Sequence, residues 1–263
     1  MKLLILSGTS DGNNLACELS KYNHIVIVTS TTDLGKSLAS KFFKESKCKV
    51  KVLKKIFKNE NDIIEFVKDQ KIEMIIDCTH PFAENIKSIL AQLQDQILVL
   101  RYERPKIETG YLKAIEVNSF ELAAEACQKF NNIFLSIGSG RINFFENLIK
   151  SGKNIYVRII PTKDSIDKCL KAGIKMENLI LDVGPYTLEK NLEHFRKSQA
   201  EVVVSKDSGQ SGGLFEKIKA CEILEIPIII IKPRENSLYN KFYSLNQIVE
   251  FVNSKTVMLN DKV

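Results

Sequence analysis

Apolar residues in this chain come in short runs, and between the runs they recur at helical spacing. The runs at 2–6, 24–28, 50–53, 74–77 and 97–100 have the length of strands. Helical spacing is found at 13–21, 62–68 and 82–93, where residues such as Leu15, Ala16 and Leu19 share one face. A polar stretch at 29–33 reads as a loop. The theme then restarts, with strands predicted at 113–117, 133–137, 155–160, 179–183, 202–205 and 228–231. Helices are predicted at 120–129, 143–150, 165–171, 188–196 and 214–224. A last helix from about Leu245 opens with Ser244 and Gln247 in capping-box spacing.

Strands that are apolar on both faces, alternating with helices, predict an α/β fold of mostly parallel sheets covered on both sides. Eleven strands exceed the usual width of one sheet, so two domains are expected. The polar, proline-bearing stretch 103–110 is the expected junction, giving domains 1–103 and 104–263.

Composition narrows the class. With 263 residues, 44% hydrophobic and 27% charged, the chain can build real cores and is neither disordered nor a disulfide-stapled scaffold. No apolar run approaches the roughly 20 residues of a membrane span. The N-terminal run is too short for a secretory signal, so a cytoplasmic protein without a membrane partner is expected. The net charge is +6, with lysines scattered and one cluster at 47–58. Neither a basic arm nor a nucleic-acid motif accompanies it, so nucleic acid is not an expected partner, whereas a small polyanion suits the balance. The six cysteines include no CxxC pair, and no metal site is expected. Cys17, Cys127, Cys169 and Cys221 fall in helical patterns and read as small core residues.

In open parallel sheets ligands bind beyond the carboxyl ends of the strands, so the segments after each strand matter most. Gly8, Thr9, Ser10, Asp11 and Gly12 follow the first strand and open a helix. Small residues there let backbone N–H groups approach a phosphate, although a GxGxxG fingerprint is absent and a tight turn reads equally well. After the second strand come Ser30, Thr31 and Thr32, with Lys36 beyond, a set that suits a 2′-phosphate and so NADP over NAD, against which Asp33 weighs. His80 follows the fourth strand. Arg101 and Arg104 follow the fifth, where they could grip carboxylates or pair with Glu103. The segment 205–213 is the most informative. Lys206, Ser208, Gly209, Gly212 and Gly213 belong to an anion-cradling loop at a helix start. A shorter echo, Gly138-Ser139-Gly140-Arg141, follows another strand.

LLILSGTSDGNNLA, DCTHPFA, RYERP, IGSGR, VRIIPT, GPYTLEKN, VVVSKDSGQSGG and IPIIIIKP occur here in an order that resembles the precorrin-6A reductase family, which includes the cobalt-precorrin-6A form. The resemblance implies two Rossmann-like domains with a cleft between them. It implies NADPH-dependent reduction of one double bond of a polycarboxylate tetrapyrrole, giving the 6B form, in cobalamin biosynthesis. Carried over by motif, Gly8, Thr9, Ser10, Asp11, Gly12, Ser30, Thr31 and Thr32 would bind NADPH. His80, Arg101, Arg104, Lys206, Ser208, Gly209, Gly212 and Gly213 would line the substrate cleft. The proton would come from solvent or from His80 or Asp207. Ser7 stands where the family usually has glycine, and Lys106 and Ile107 replace a proline and an aromatic. Two other readings compete. A non-catalytic dinucleotide sensor would not need the second glycine-serine loop, and a methyltransferase using S-adenosylmethionine would leave phosphate-type loops unexplained.

Overall fold

The computed structural model describes residues 1–93, 95–105, 109–184, 186–209, 212–233 and 240–260, with side chains described up to 256. Lys106, Ile107, Gln210 and Ser211 therefore lie outside the described residues. The chain divides into two units, Met1–Pro105 with Glu235–Val263, and Lys106–Arg234.

The first unit runs β1 (Lys2–Leu6), α1 (Ser10–Leu19), β2 (Ile25–Ser30), α2 (Asp33–Glu45), β3 (Val50–Lys54), α3 (Glu60–Gln70), β4 (Met74–Asp77), α4 (Glu84–Ala91) and β5 (Leu98–Tyr102). It takes back the end of the chain as β12 (Asn240–Phe242) and α10 (Leu245–Asn260). Its six strands are parallel in the order β12-β5-β4-β1-β2-β3. Side chains alternate across the sheet. Leu3 and Ile5 of β1 pack with Leu15 and Leu19 of α1 and with Ile248 and Val252 of α10. Leu4 and Leu6 face the other way, toward Ile63 of α3 and Leu90 of α4.

The second unit runs β6 (Ala114–Val117), α5 (Phe120–Ala126), β7 (Asn132–Ser136), a 3-10 segment (Ser139–Phe145), α6 (Glu146–Lys150), β8 (Asn154–Ile159), α7 (Lys163–Lys171) and β9 (Leu179–Leu181). It continues with α8 (Leu188–Lys197), β10 (Val202–Lys206), α9 (Leu214–Ile223) and β11 (Ile228–Ile231). Its six strands are parallel in the order β6-β11-β10-β7-β8-β9. Phe134, Val203, Ile228 and Ile230 pack there against Phe195 of α8 and Ile218 of α9.

Three expectations need correction. The stretch after β2 leads at once into α2, because Thr32 caps it by accepting the Gly35 N–H at 3.0 Å and Ala39 and Phe43 are buried. Gly35, Ser37 and Ser40 weaken helical propensity there, and tertiary burial overrides it. The segment from 235 onward belongs to the first unit, not to a domain 104–263. Backbone pairing of β12 with β5 and the packing of Ile248 and Val252 hold it there, and His24 Nε2 bonds Asn253 Oδ1 at 2.9 Å. Lastly, Cys17 is joined to Cys48 in a disulfide, with Cα atoms 5.3 Å apart. Helix α1 and the approach to β3 are neighbours only in the fold. Cys127, Cys169 and Cys221 are buried free thiols. No helix among the described residues is long and apolar enough to cross a membrane.

Candidate functional site

Each sheet has one place where successive connections leave in opposite directions, and open α/β sheets bind their ligands in a crevice at that position, beyond the carboxyl ends of the strands. In the first sheet it lies between β1 and β4, with Leu6 beside Asp77. The turn after β1 and the turn after β4 flank it. Thr9 precedes α1 with extended backbone and no side-chain cap, so the first N–H groups of α1 are not closed off by that residue. Thr9 Oγ1 instead donates to the Cys78 carbonyl at 3.2 Å, tying the two turns together. A Cβ on Gly12 would come 2.5 Å from Ser7 Oγ and 3.1 Å from Cys78 Cβ, while one on Gly8 would meet nothing within 4 Å. Gly12 thus permits close helix–strand packing, and Gly8 leaves open space before the helix N-terminus, a geometry that fits a pyrophosphate. At the end of β2, Ser30 is buried, whereas Thr31 and Lys36 are exposed and Thr32 spends its oxygen on the cap. The Asp33 carboxylate pairs with Lys54 at 2.5 Å. That cation offsets the acid that weighs against a 2′-phosphate.

The charges of this first crevice are matched internally. Asp77 and Arg101 are almost wholly buried and pair at 3.0 Å. Asp77 Oδ1 also accepts the Thr79 N–H at 2.9 Å and the Thr79 hydroxyl at 2.7 Å, and Arg101 Nη1 donates to the Thr79 carbonyl at 3.0 Å. Asp77 Oδ2 and Arg101 Nε have no hydrogen-bond partner among the described residues. At 2% exposure Arg101 is turned toward Asp77 and the Thr79 carbonyl, in the turn that carries His80. Arg104 Nε holds Asp11 Oδ2 at 2.7 Å, so two residues assigned by resemblance to different ligands meet in one ion pair. His80 Nδ1 accepts the Phe82 N–H at 3.2 Å, which places the proton of a neutral ring on Nε2. Buried Lys87 of α4 donates to the Pro81 carbonyl at 2.5 Å. Its pKa is lowered by burial and by Arg101, against Glu103 and Asp77, which raise it.

In the second sheet the crevice lies between β7 and β10, and the two glycine-bearing loops that the sequence singles out flank it. Gly138 has φ +74°, Gly209 +70° and Gly213 +68°, so among the described residues of the 206–213 loop the positive-φ positions are Gly209 and Gly213. Asp207 Oδ1 accepts the Gly209 N–H at 3.1 Å, and Oδ2 pairs with Lys232 at 3.1 Å. Both oxygens of Asp207 are thus engaged in holding the loop, which speaks against its expected role as proton donor. Ser208 is buried, and its hydroxyl donates to the Lys206 carbonyl at 3.5 Å. Burial and Arg141 lower the Lys206 pKa.

The model of the family described as precorrin-6x reductase CbiJ/CobK matches residues 2–253. The chain belongs to that family. It is 31% identical over 92% of its length to a cobalt-precorrin-6A reductase of Priestia megaterium, covering 94% of that protein. It is 30% identical over 96% of its length to one of Methanococcus maripaludis, covering 99%. A solved structure of CobK precorrin-6A reductase superposes with a TM-score of 0.76 at 18% identity, covering 97% of this chain and 96% of that one, which shows a shared fold. As a precorrin-6x reductase family member the chain is an oxidoreductase, and both its crevices carry the motifs on which the resemblance was drawn. Four buried charged residues at those crevices were not anticipated as site residues, namely Asp77, Lys87 of α4, Arg158 of β8 and Lys217 of α9. In the sequence they are ordinary charges at strand ends or on a helix, and only burial distinguishes them.

Proposed function

We propose that this chain uses NADPH to reduce one double bond of a precorrin-6A-type macrocycle, with or without cobalt, to the 6B form. The match of the family model to nearly the whole chain carries the reading. The uncapped N-terminus of α1 beside Gly8 and Gly12 supports a dinucleotide at the first crevice, its pyrophosphate lying against backbone N–H groups. Ser30, Thr31 and Lys36 would meet the 2′-phosphate. The bound cofactor supplies the hydride, so the protein's contribution is orientation and exclusion of water. Lys206, Ser208 and the backbone of Gly209, Gly212 and Gly213 take the acid groups of the substrate. His80 is the favoured residue for proton delivery: with Nδ1 held as an acceptor, its Nε2–H can orient a water, and the proton itself comes from solvent.

The test is anaerobic incubation of the purified protein with NADPH and either macrocycle. The reading expects one NADPH oxidised per product that is heavier by two hydrogens. Binding of NADPH without reduction of either macrocycle would leave the sensor reading in its place.

A further inference from the structure

Among the described residues of the second unit, the buried cations Arg158 and Lys217 lack an ion pair. Arg158 is 3% exposed, yet its guanidinium bonds only neutral groups, Ser136 Oγ at 2.7 Å, Asn191 Oδ1 at 2.9 Å and His194 Nδ1 at 3.2 Å. It also stacks 3.7 Å from the centre of the Tyr186 ring. Lys217 is 5% exposed, and its Nζ donates to the Gly212 carbonyl at 3.1 Å, inside the 206–213 loop. Among the described residues neither cation has a carboxylate at ion-pair distance. The groups that act on Lys217 are Arg158 from β8, Lys206 from the end of β10 and, with opposite sign, Glu216 from its own helix. Helix α8, which packs on α9, adds His194 bonded to Arg158. Burial is the main cause that pushes the Lys217 ammonium down to about 7.

Burying a cation without an acid is costly, and a chain keeps such a group where a ligand brings the missing anion. A Cβ on Gly213 would lie 3.7 Å from Glu216 Oε2 and 3.9 Å from the Tyr186 carbonyl oxygen, so the cations at the loop have one acid to outweigh. We propose that Lys217 receives one carboxylate of the substrate at the 206–213 loop, with Arg158 and Lys206 making the position selective for anions. The inference rests on the reading of the substrate as a polycarboxylate macrocycle. The carboxylate favours the ammonium form, so binding takes up a proton above neutral pH. Affinity then falls by close to tenfold per pH unit above about 7.

The experiment is calorimetry with the reduced macrocycle, with tricarballylate as a small tricarboxylate probe, and with NADPH. It uses the wild type, Lys217→Met and Lys217→Arg between about pH 6 and about pH 8, in buffers of different ionisation enthalpy. The macrocycle and tricarballylate are expected to bind the wild type with proton uptake. Lys217→Met should bind both at least about tenfold more weakly, with no uptake, and Lys217→Arg should bind them without pH dependence. NADPH binding should be alike in all three, and Lys217→Met should melt no lower than wild type. Equal affinity and uptake in Lys217→Met would overturn the inference. Uptake that accompanies NADPH instead would move the anion to a cofactor phosphate and overturn the carboxylate assignment. A fall in melting temperature with loss of all binding would make Lys217 a structural residue. If the wild type reduces no macrocycle but tricarballylate still shows uptake dependent on Lys217, the reductase reading fails while the carboxylate position stands.

Discussion

The two sheets share one pattern of strand order and differ in how they handle charge. In each, the strand that follows the reversal of direction ends in a turn, and the next helix sends a buried lysine back to a carbonyl of that turn. Lys87 does so at Pro81 and Lys217 at Gly212. Around Lys87 the charges cancel locally, because Arg101 has Asp77 and Arg104 has Asp11. Around Lys217 no such pairs form among the described residues: neither Arg158 nor Lys217 has a carboxylate at ion-pair distance, and Asp182 and Glu216 act on them only from farther off. In the proposed function, a self-neutralised crevice would leave recognition of a phosphate to backbone N–H groups and a helix end, and a crevice whose buried cations lack ion pairs would take an anion. The same topology would then serve two ligand chemistries, separated by whether the buried charges already have partners.

The sharpest way to break this contrast is to unbalance the first crevice. Arg101→Met leaves the Asp77 carboxylate buried without its cation and should cost about 3–5 kcal/mol in urea denaturation. Lys217→Met should cost far less, since it removes a charge that had no acid. Equal losses would erase the distinction.

Two glycines sharpen it next. Gly12→Val places a side chain against Ser7 Oγ and Cys78 Cβ and should cost about 1–3 kcal/mol, with NADPH binding suffering first. Gly213→Val forces a branched residue to φ +68° at a similar cost of about 1–3 kcal/mol, and should abolish turnover while NADPH still binds. Titrating NADPH and assaying turnover on both variants reads the two crevices separately. If both variants lose NADPH binding equally, the division of labour is wrong.

Arg104→Ala frees Asp11 in the first turn of α1, where an unpaired acid repels a phosphate. NADPH affinity should drop about tenfold, or about 1.4 kcal/mol, with the macrocycle KM nearly unchanged. A raised KM with unchanged NADPH affinity would return Arg104 to the substrate role that the resemblance implies. The smallest effect is expected at exposed Lys36. The wild type should prefer NADPH to NADH by at least about tenfold, and Lys36→Ala should narrow that preference by a factor of about 2–5.

Much of the frame was legible in the sequence. The strands β1, β2 and β4 are apolar on both faces, which only a covered parallel sheet explains, and the loops after β1 and β10 stand out by their glycines and hydroxyls. Helix α2 was hidden because Gly35 and its serines look like loop, and Leu34 and Leu38 are exposed rather than buried. The return of β12 was hidden because Asn240, Lys241 and Phe242 form no apolar run, and backbone pairing with β5 specifies it. Arg101 at the end of β5 and Arg104 just after it were visible as residues but not as pairs. That Arg101 meets Asp77 and Arg104 meets Asp11 depends on the register of β4 beside β5 and on where α1 begins. Lys217 and Arg158 gave no signal because burial without an acid is a property of the packed structure alone.

The central proposal is that this chain oxidises NADPH while reducing the macrocycle, with the dinucleotide assigned to the first unit and a substrate carboxylate to the second. Its most direct test is a turnover assay with purified wild-type protein, NADPH and the 6A macrocycle, following absorbance of NADPH and mass of the macrocycle together. The account predicts equal amounts of NADPH consumed and of product heavier by two hydrogens, with turnover lost in Gly213→Val although NADPH still binds. Full turnover in that variant, or macrocycle left unchanged by the wild type while NADPH binds, would contradict it.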